Sequence, residues 1–215
     1  MSGLFITIEG GEGVGKSTQM RLLAERLRAL GLPVLTTREP GGTVVGDGIR
    51  SLLLDPASQI APRTELFLYE ASRAELVAEA IAPALEQGAF VICDRFFDST
   101  TAYQAYGRGL DLEMVLMLNL AATGGLIPDV TLLLVHELED SMERATSGGA
   151  DRMELQSVDF HRRVIAGFET LAASEPDRFR TIDAAGTPGE VAERVWVALS
   201  AHPAFVRALP GVARP

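Results

Sequence analysis

The chain has 215 residues, 47% of them hydrophobic, enough for one sizeable core and too short for a second full domain to be expected. Its formal net charge of −10 argues against the broad basic face that non-specific binding to nucleic acid or an anionic membrane needs, and no apolar run approaches the ~18 residues of a membrane span. The one cysteine, Cys93, excludes an internal disulfide and is expected as a buried inert thiol; with no basic leader after Met1, a cytoplasmic protein is expected.

Leu4 to Ile8 reads as a buried strand that ends at Glu9-Gly10. Met20, Leu23, Ala24, Leu27 and Leu30 then recur at helical spacing, stopped by Gly31 and Pro33. Val34 to Thr37 is a second strand, followed by the loop Arg38-Glu39-Pro40-Gly41-Gly42. A short helix is expected over Val44 to Leu54, and a long helical stretch from Pro62 to Gln87 that kinks or ends near Pro83. Ala89 to Cys93 is the next strand and runs into Asp94-Arg95. Ser99 to Ala122 reads as mostly helical with a break at Gly107-Arg108-Gly109, and Val130 to Val135 as a strand. Beyond it, Glu137 to Ala145 and Glu154 to Ala173 read as helices, with a glycine-containing flap between them. Phe179 to Ile182 is a weak last strand and Pro188 to Ser200 a last helix. The tail from His202, with Pro203, Pro210, Gly211 and Pro215, is expected to be poorly ordered. Alternating strands and helices imply an α/β domain over residues 1–201, built on a parallel sheet covered on both faces.

Gly10-Gly11-Glu12-Gly13-Val14-Gly15-Lys16-Ser17 fits G-x-x-x-x-G-K-[ST], with the required strand before it and amphipathic helix after it. The glycines let backbone N–H groups turn inward around phosphate oxygens, and the helix N-terminus adds partial positive charge. Lys16 is the chain's one lysine among nineteen basic residues, which a chance glycine-rich turn would not explain. It can reach the β- and γ-phosphates of ATP; the Ser17 hydroxyl, followed by Thr18, can ligate Mg²⁺. Glu12 repels an anion, so it is expected to face a neighbouring substrate hydroxyl, the alternative being a solvated loop carboxylate.

Ligands of open parallel sheets bind beyond the carboxyl ends of the strands. Arg38 and Arg95 stand there, beside Glu39 and Asp94, and Arg73 lies one turn after Tyr69. A planar guanidinium suits a phosphate monoester, and an aromatic ring suits a nucleobase face. Asp94 is open to two readings: a Mg²⁺-binding acid at a strand end, or a structural partner or helix cap. Thr100, Tyr103 and Gln104 offer hydroxyl and amide groups for a base or sugar.

Seven segments in order resemble one family: Glu9 to Thr18, Thr37 to Thr43, Arg50 to Leu54, Asp94-Arg95, Ser99 to Gln104, Gly107 to Gly109, and Asp151 to Glu154. That family is bacterial thymidylate kinase, within the P-loop nucleoside monophosphate kinases. The resemblance implies a P-loop NTPase-type three-layer fold with a five-stranded parallel sheet, a homodimer, and Mg²⁺-dependent transfer of the ATP γ-phosphoryl group to dTMP. It implies that Arg38, Arg73 and Arg95 bind the dTMP phosphate and that Tyr69 replaces the usual phenylalanine stacked on thymine. It further implies Thr100 at the base edge, Tyr103 against the sugar 2′ position, Glu12 near the 3′-hydroxyl, and Gln104 beside the nucleotide. Some members carry an arginine in the phosphate loop, where this chain has Gly13; others use arginines of the flap near residues 144–152. Arg144 and Arg152 are the candidates here, and the sequence does not choose between them. The rivals are a deoxyribonucleoside kinase, an ATP-hydrolysing switch or partitioning protein, and a structural domain with a vestigial loop.

Overall fold

A computed structural model of the protein describes residues 3–139, 141–142 and 150–209. The apolar runs form β1 (Leu4–Gly10), β2 (Val34–Arg38), β3 (Phe90–Asp94), β4 (Val130–Val135) and β5 (Phe179–Asp183). All pairs are parallel, in the order β2-β3-β1-β4-β5. Because β1 lies between β3 and β4, the chain leaves it at the point where strand order reverses, the usual crevice for a ligand in such a sheet. The register Ile8↔Asp94 and Arg38↔Asp94 brings the phosphate loop, Arg38 and Arg95 to one edge of the sheet.

The period-two alternation of β1 divides its side chains between two cores. Leu4, Ile6 and Ile8 pack with Leu23 and Leu27 of α1 (Lys16–Ala29) and with Val195, Trp196 and Leu199 farther along the chain. Phe5 faces the opposite layer, against Leu76, Ile81, Val91 and Phe96, and Cys93 is a free buried thiol in the same cluster. By the same alternation, Glu9 is directed into that second layer, fully buried.

Helices α2 (Val44–Leu54) and α3 (Pro62–Leu76) follow the expected ranges. The stretch expected to break near Pro83 passes instead through a wide π-helical turn, Val77–Ile81, into α4 (Ala82–Glu86). A wider turn just ahead of a proline absorbs its missing N–H while the chain stays helical. A second π turn, Thr101–Gly107, links α5 (Phe97–Thr100) towards α6 (Leu112–Thr123). Residues 138–139 and 141–142 are helical; the rest of the expected helix to Ala145, and flap residues 146–149, lie outside the described residues. Helix α7 begins at Val158, not Glu154, and runs to Ser174: Asp151 accepts the N–H groups of Met153 and Glu154, making a turn, and Ser157 caps the helix through the Phe160 N–H. Helix α8 (Pro188–Ser200) carries a capping box between Thr187 and Glu190. No helix among the described residues is long and apolar enough to cross a membrane.

The expectation of a poorly ordered tail from His202 does not hold as far as Leu209. Pro203 opens α9 (Pro203–Ala208), with His202 as N-cap accepting the Ala204 N–H. Phe205 is 2% exposed, its ring 5.6 Å from Trp196 and 6.1 Å from Phe90. Proline here marks a helix start, where its missing N–H costs nothing. Residues 210–215 lie outside the described residues. Replacing Phe205 by alanine is expected to lower the unfolding free energy by about 3 kcal/mol in urea denaturation. A loss below about 1 kcal/mol would mean that α9 is not part of the core.

Candidate active site

The phosphate loop joins β1 to α1, and two of its glycines are required by its path. Gly10 has φ 140°, and a Cβ there would collide with the carbonyl oxygen of Leu134 on the adjacent strand. Gly15, at φ 95°, turns the chain into the first N–H groups of α1. Lys16 is buried, and its Nζ donates to Gly11 O at 2.5 Å and Gly10 O at 3.3 Å. Burial and the nearby Arg95 charge lower its pKa to about 8, against the attraction of Glu12, Asp94 and Glu9. The Ser17 hydroxyl donates to Asp94 Oδ2 at 2.7 Å, so the two predicted metal-binding groups do meet.

Arg95 stands opposite, the one non-glycine residue with positive φ (69°) among the described residues. Such a conformation costs of order 1–3 kcal/mol and persists where its surroundings hold it. Here the Arg95 N–H donates to Ile8 O, and the next N–H, of Phe96, donates to Glu9 Oε1 at 2.7 Å. Glu9 Oε2 accepts the Ser99 hydroxyl at 2.6 Å, and Ser99 Oγ in turn accepts Arg95 Nη1 at 3.0 Å. Burial, with Asp98 adding to it, raises the Glu9 pKa to about 8. The other face of the guanidinium meets Glu12, with Nη2 2.8 Å from Oε1. Nη2 has no acceptor besides this ion-pair partner. Tyr103 donates to the same Glu12 oxygen at 2.6 Å and lies under the Arg95 guanidinium. Burial opposes ionisation of Glu12, but Arg95, Lys16 and the Tyr103 hydroxyl outweigh it and lower its pKa to about 2.

Two adjoining pockets share these groups. One is lined by the loop from Glu12 to Thr18 together with Arg38, Arg50, Asp94 and Arg95. The other is lined by Tyr69, Arg73, Thr100, Tyr103 and Gln104. Glu12, Glu39, Arg50, Arg95 and Asp151 belong to both. Arg38 and Arg95 thus line the first pocket together, and Arg73 meets Arg95 in the second. Arg73 is 1% exposed, and all five of its N–H groups are committed to protein acceptors: Glu39, Glu70, Asn119 and Thr100. These acceptors hold its guanidinium in place where it lines the second pocket. Burial raises the Glu39 pKa to about 7, against the pull of Arg73.

Arg152 stands apart. It lines neither pocket; Nη1 lies 2.6 Å from Glu65 Oε2 and Nε donates to Leu53 O at 2.6 Å. It is held by those two groups. Arg144 lies outside the described residues. Gly10, Gly11 and Val14 border a separate groove beside β4 and α7, with the Val14 side chain in the core. The sequence reading missed Arg50, Asp151, Glu9 and Glu65. Arg50 and Asp151 stood inside segments already singled out; Arg50 bonds Pro40 O across the loop at 2.9 Å, a contact that helical spacing does not reveal.

A phosphate-loop pocket that shares three acids and two arginines with a second, aromatic-walled pocket defines a P-loop kinase acting on a second nucleotide. The thymidylate kinase family profile matches residues 8–195. A thymidylate kinase of Synechococcus sp. (strain JA-3-3Ab) is 53% identical over 209 residues, covering 96% of this chain and 99% of the relative. That of Deinococcus radiodurans is 49% identical over 199 residues, covering 92% and 97%. The crystal structure of thymidylate kinase from Ehrlichia chaffeensis superposes with TM-score 0.75 at 34% identity, covering 91% of this chain and 98% of that one. The chain belongs to the thymidylate kinase family, whose reaction is the ATP-dependent phosphorylation of dTMP to dTDP.

The depressed Lys16 pKa carries a pH dependence with a definite sign. Below about pH 8 the free enzyme presents an ammonium to the ATP phosphates; above it, an increasing fraction is neutral and must take up a proton on binding. The ATP dissociation constant is therefore expected to rise about fivefold or more between pH 8 and pH 9, with proton uptake visible in the buffer dependence of the calorimetric heat. A dissociation constant flat across this interval would show that Lys16 stays charged in the free site.

Proposed function

We propose that the two pockets hold ATP and dTMP together and that Arg38, Arg50 and Arg95 grip the acceptor phosphate in line with the γ-phosphate. The observation that carries this is the position of Glu12 and Arg95, which line both pockets at once, with Lys16 on the donor side. Arg95 is preformed by Glu9 and Ser99 and paired through Nη2 with Glu12. Glu12, ionised in the range where the enzyme works, accepts from the sugar 3′-hydroxyl, and Tyr103 beside it crowds the 2′ position. Tyr69 stacks on the base, while Thr100 and Gln104 approach its edge. The Ser17 hydroxyl and the Asp94 carboxylate supply the hard oxygen donors that suit Mg²⁺. When bound, the ion would neutralise charge on the β- and γ-phosphate oxygens. Since Arg152 is held at Glu65, Arg144 is the flap arginine assigned to the transferred group. Positioning and charge neutralisation then account for the transfer, without a covalent intermediate.

The enzyme works as a homodimer through α6. Leu112, Leu116 and Leu120 recur at four-residue spacing on that helix, all more than 40% exposed, with Met117 beside them and exposed Phe67 on the neighbouring α3.

A coupled assay with ATP and a panel of dTMP, dUMP, dCMP and thymidine tests the substrate. dTMP is expected to be turned over and thymidine not, since thymidine leaves three arginines without an anion. Arg95→Ala is expected to lower kcat/KM for dTMP by about a hundredfold or more, about 2.7 kcal/mol, with ATP affinity within about threefold of the parent. Unchanged dTMP turnover would remove Arg95 from the site. In light scattering, Leu116→Glu is expected to shift the mass from twice that of the chain to that of one chain; an unaltered mass would place the interface elsewhere.

A further inference from the structure

Behind the base pocket lies a charged cluster that the transfer itself does not use. Glu65, on α3, is 0% exposed and sits between three donors. Arg108 Nε reaches its Oε1 at 3.0 Å and Arg108 Nη2 its Oε2 at 3.0 Å, a two-pronged contact. Arg152 Nη1 lies 2.6 Å from Oε2. Gln104 Nε2 donates to Oε1 at 2.9 Å, and Gln104 is itself 1% exposed. Gln156 closes the cluster, accepting from Arg108 Nη1 and donating to Arg152 O. Burial works against the charge on Glu65, but the bonds from Arg108, Gln104 and Arg152 outweigh it and lower its pKa.

An ionised carboxylate only accepts, so it takes the NH₂ end of a neighbouring amide and never the oxygen end. Gln104 lines the base pocket. With its nitrogen held at Glu65, the oxygen is the end left to face a ligand there. We infer that Glu65, clamped by Arg108 and Arg152, is a positioning residue for base selection: it fixes the Gln104 amide so that the pocket offers an acceptor to a pyrimidine that carries a ring N–H, and refuses one that carries a bare ring nitrogen. Thymine and uracil present a donor at N3, whereas cytosine presents an acceptor. A site that leaves a buried polar group facing a like group discriminates far more strongly than one that loses a methyl contact. The two arginines hold the charge of Glu65 in place, and so hold the amide in one of its two orientations. The inference rests on the assignment of this pocket to the dTMP base.

The test is Glu65→Gln, which keeps size and shape but can donate as well as accept, freeing the Gln104 amide to turn. The ratio of kcat/KM for dTMP to that for dCMP is expected to fall at least about tenfold, with KM for ATP unchanged. A merely structural role would lower both pyrimidines by the same factor, and that result, or an unchanged ratio, would overturn the inference. In a Gln104→Leu background, Glu65→Gln should have no further effect on the ratio; a full additive effect would also overturn it. Should Glu65→Gln fail to fold, the unmutated enzyme decides. Its Gln104 side-chain amide protons, assigned by their loss in Gln104→Leu, are expected to exchange slowly with solvent both free and with dTMP bound. Exchange as fast as that of exposed glutamines would sink the clamp. Failure of the unmutated enzyme to phosphorylate dTMP would instead overturn the assignment of the pocket, a separate outcome.

Discussion

A buried carboxylate ties the two halves of this site together. Glu9 closes β1 one residue before the phosphate loop, and it receives the Phe96 N–H and the Ser99 hydroxyl from the segment that follows β3. An unpaired carboxylate in that position would cost several kcal/mol, so the donors that satisfy it are fixed by necessity. They are the same groups that hold Arg95 in its left-handed conformation and brace its guanidinium. The donor loop and the acceptor arginine therefore cannot move independently. Their separation is set by neighbouring strands of one sheet.

From that bridge outward, the rest of the site follows the direction of the strands. β1, β2 and β3 end side by side, so Glu12, Arg38 and Asp94-Arg95 converge without any long-range loop closure. Helices α3 and α5 add the walls of the base pocket from the layer into which Phe5 and Glu9 point. The opposite layer, built on α1, α8 and α9, contributes Lys16, Ser17 and Thr18 from the first turn of α1 and otherwise supports the sheet.

The legible parts of the sequence were those whose meaning is local. The phosphate loop announces itself because backbone N–H groups and one lysine do its work within eight residues. The strands were readable from continuous apolar runs, and the sheet from their alternation with helices. The partners of Arg73 were not legible, because Glu39 and Asn119 lie 34 and 46 residues away, which no spacing on α3 reveals. The same holds for Arg152, whose partner Glu65 lies far from it in sequence. The tail failed differently. Its prolines and glycine suggested disorder, but Ala204, Phe205 and Ala208 carry the spacing of a helix face, and that signal lay in periodicity, not composition.

Long-range partners of this kind separate the arginines of the chain into two kinds. Arg73 and Arg178 each have all five N–H groups taken by protein acceptors, Arg178 by Asp98, Thr131 and Glu175. Both are buried, though Arg73 also lines the second pocket. Arg38, Arg50 and Arg95 border open space on the donor side. In a chain with net charge −10, an arginine among acids is the common case and says little. What distinguishes these three is that they border the pocket of the phosphate loop, where an anion can add bonds to those the fold makes. On the proposed function the acceptor grip then belongs to the ends of β2 and β3 and to α2, while the arginine on α3 lines the pocket assigned to the base.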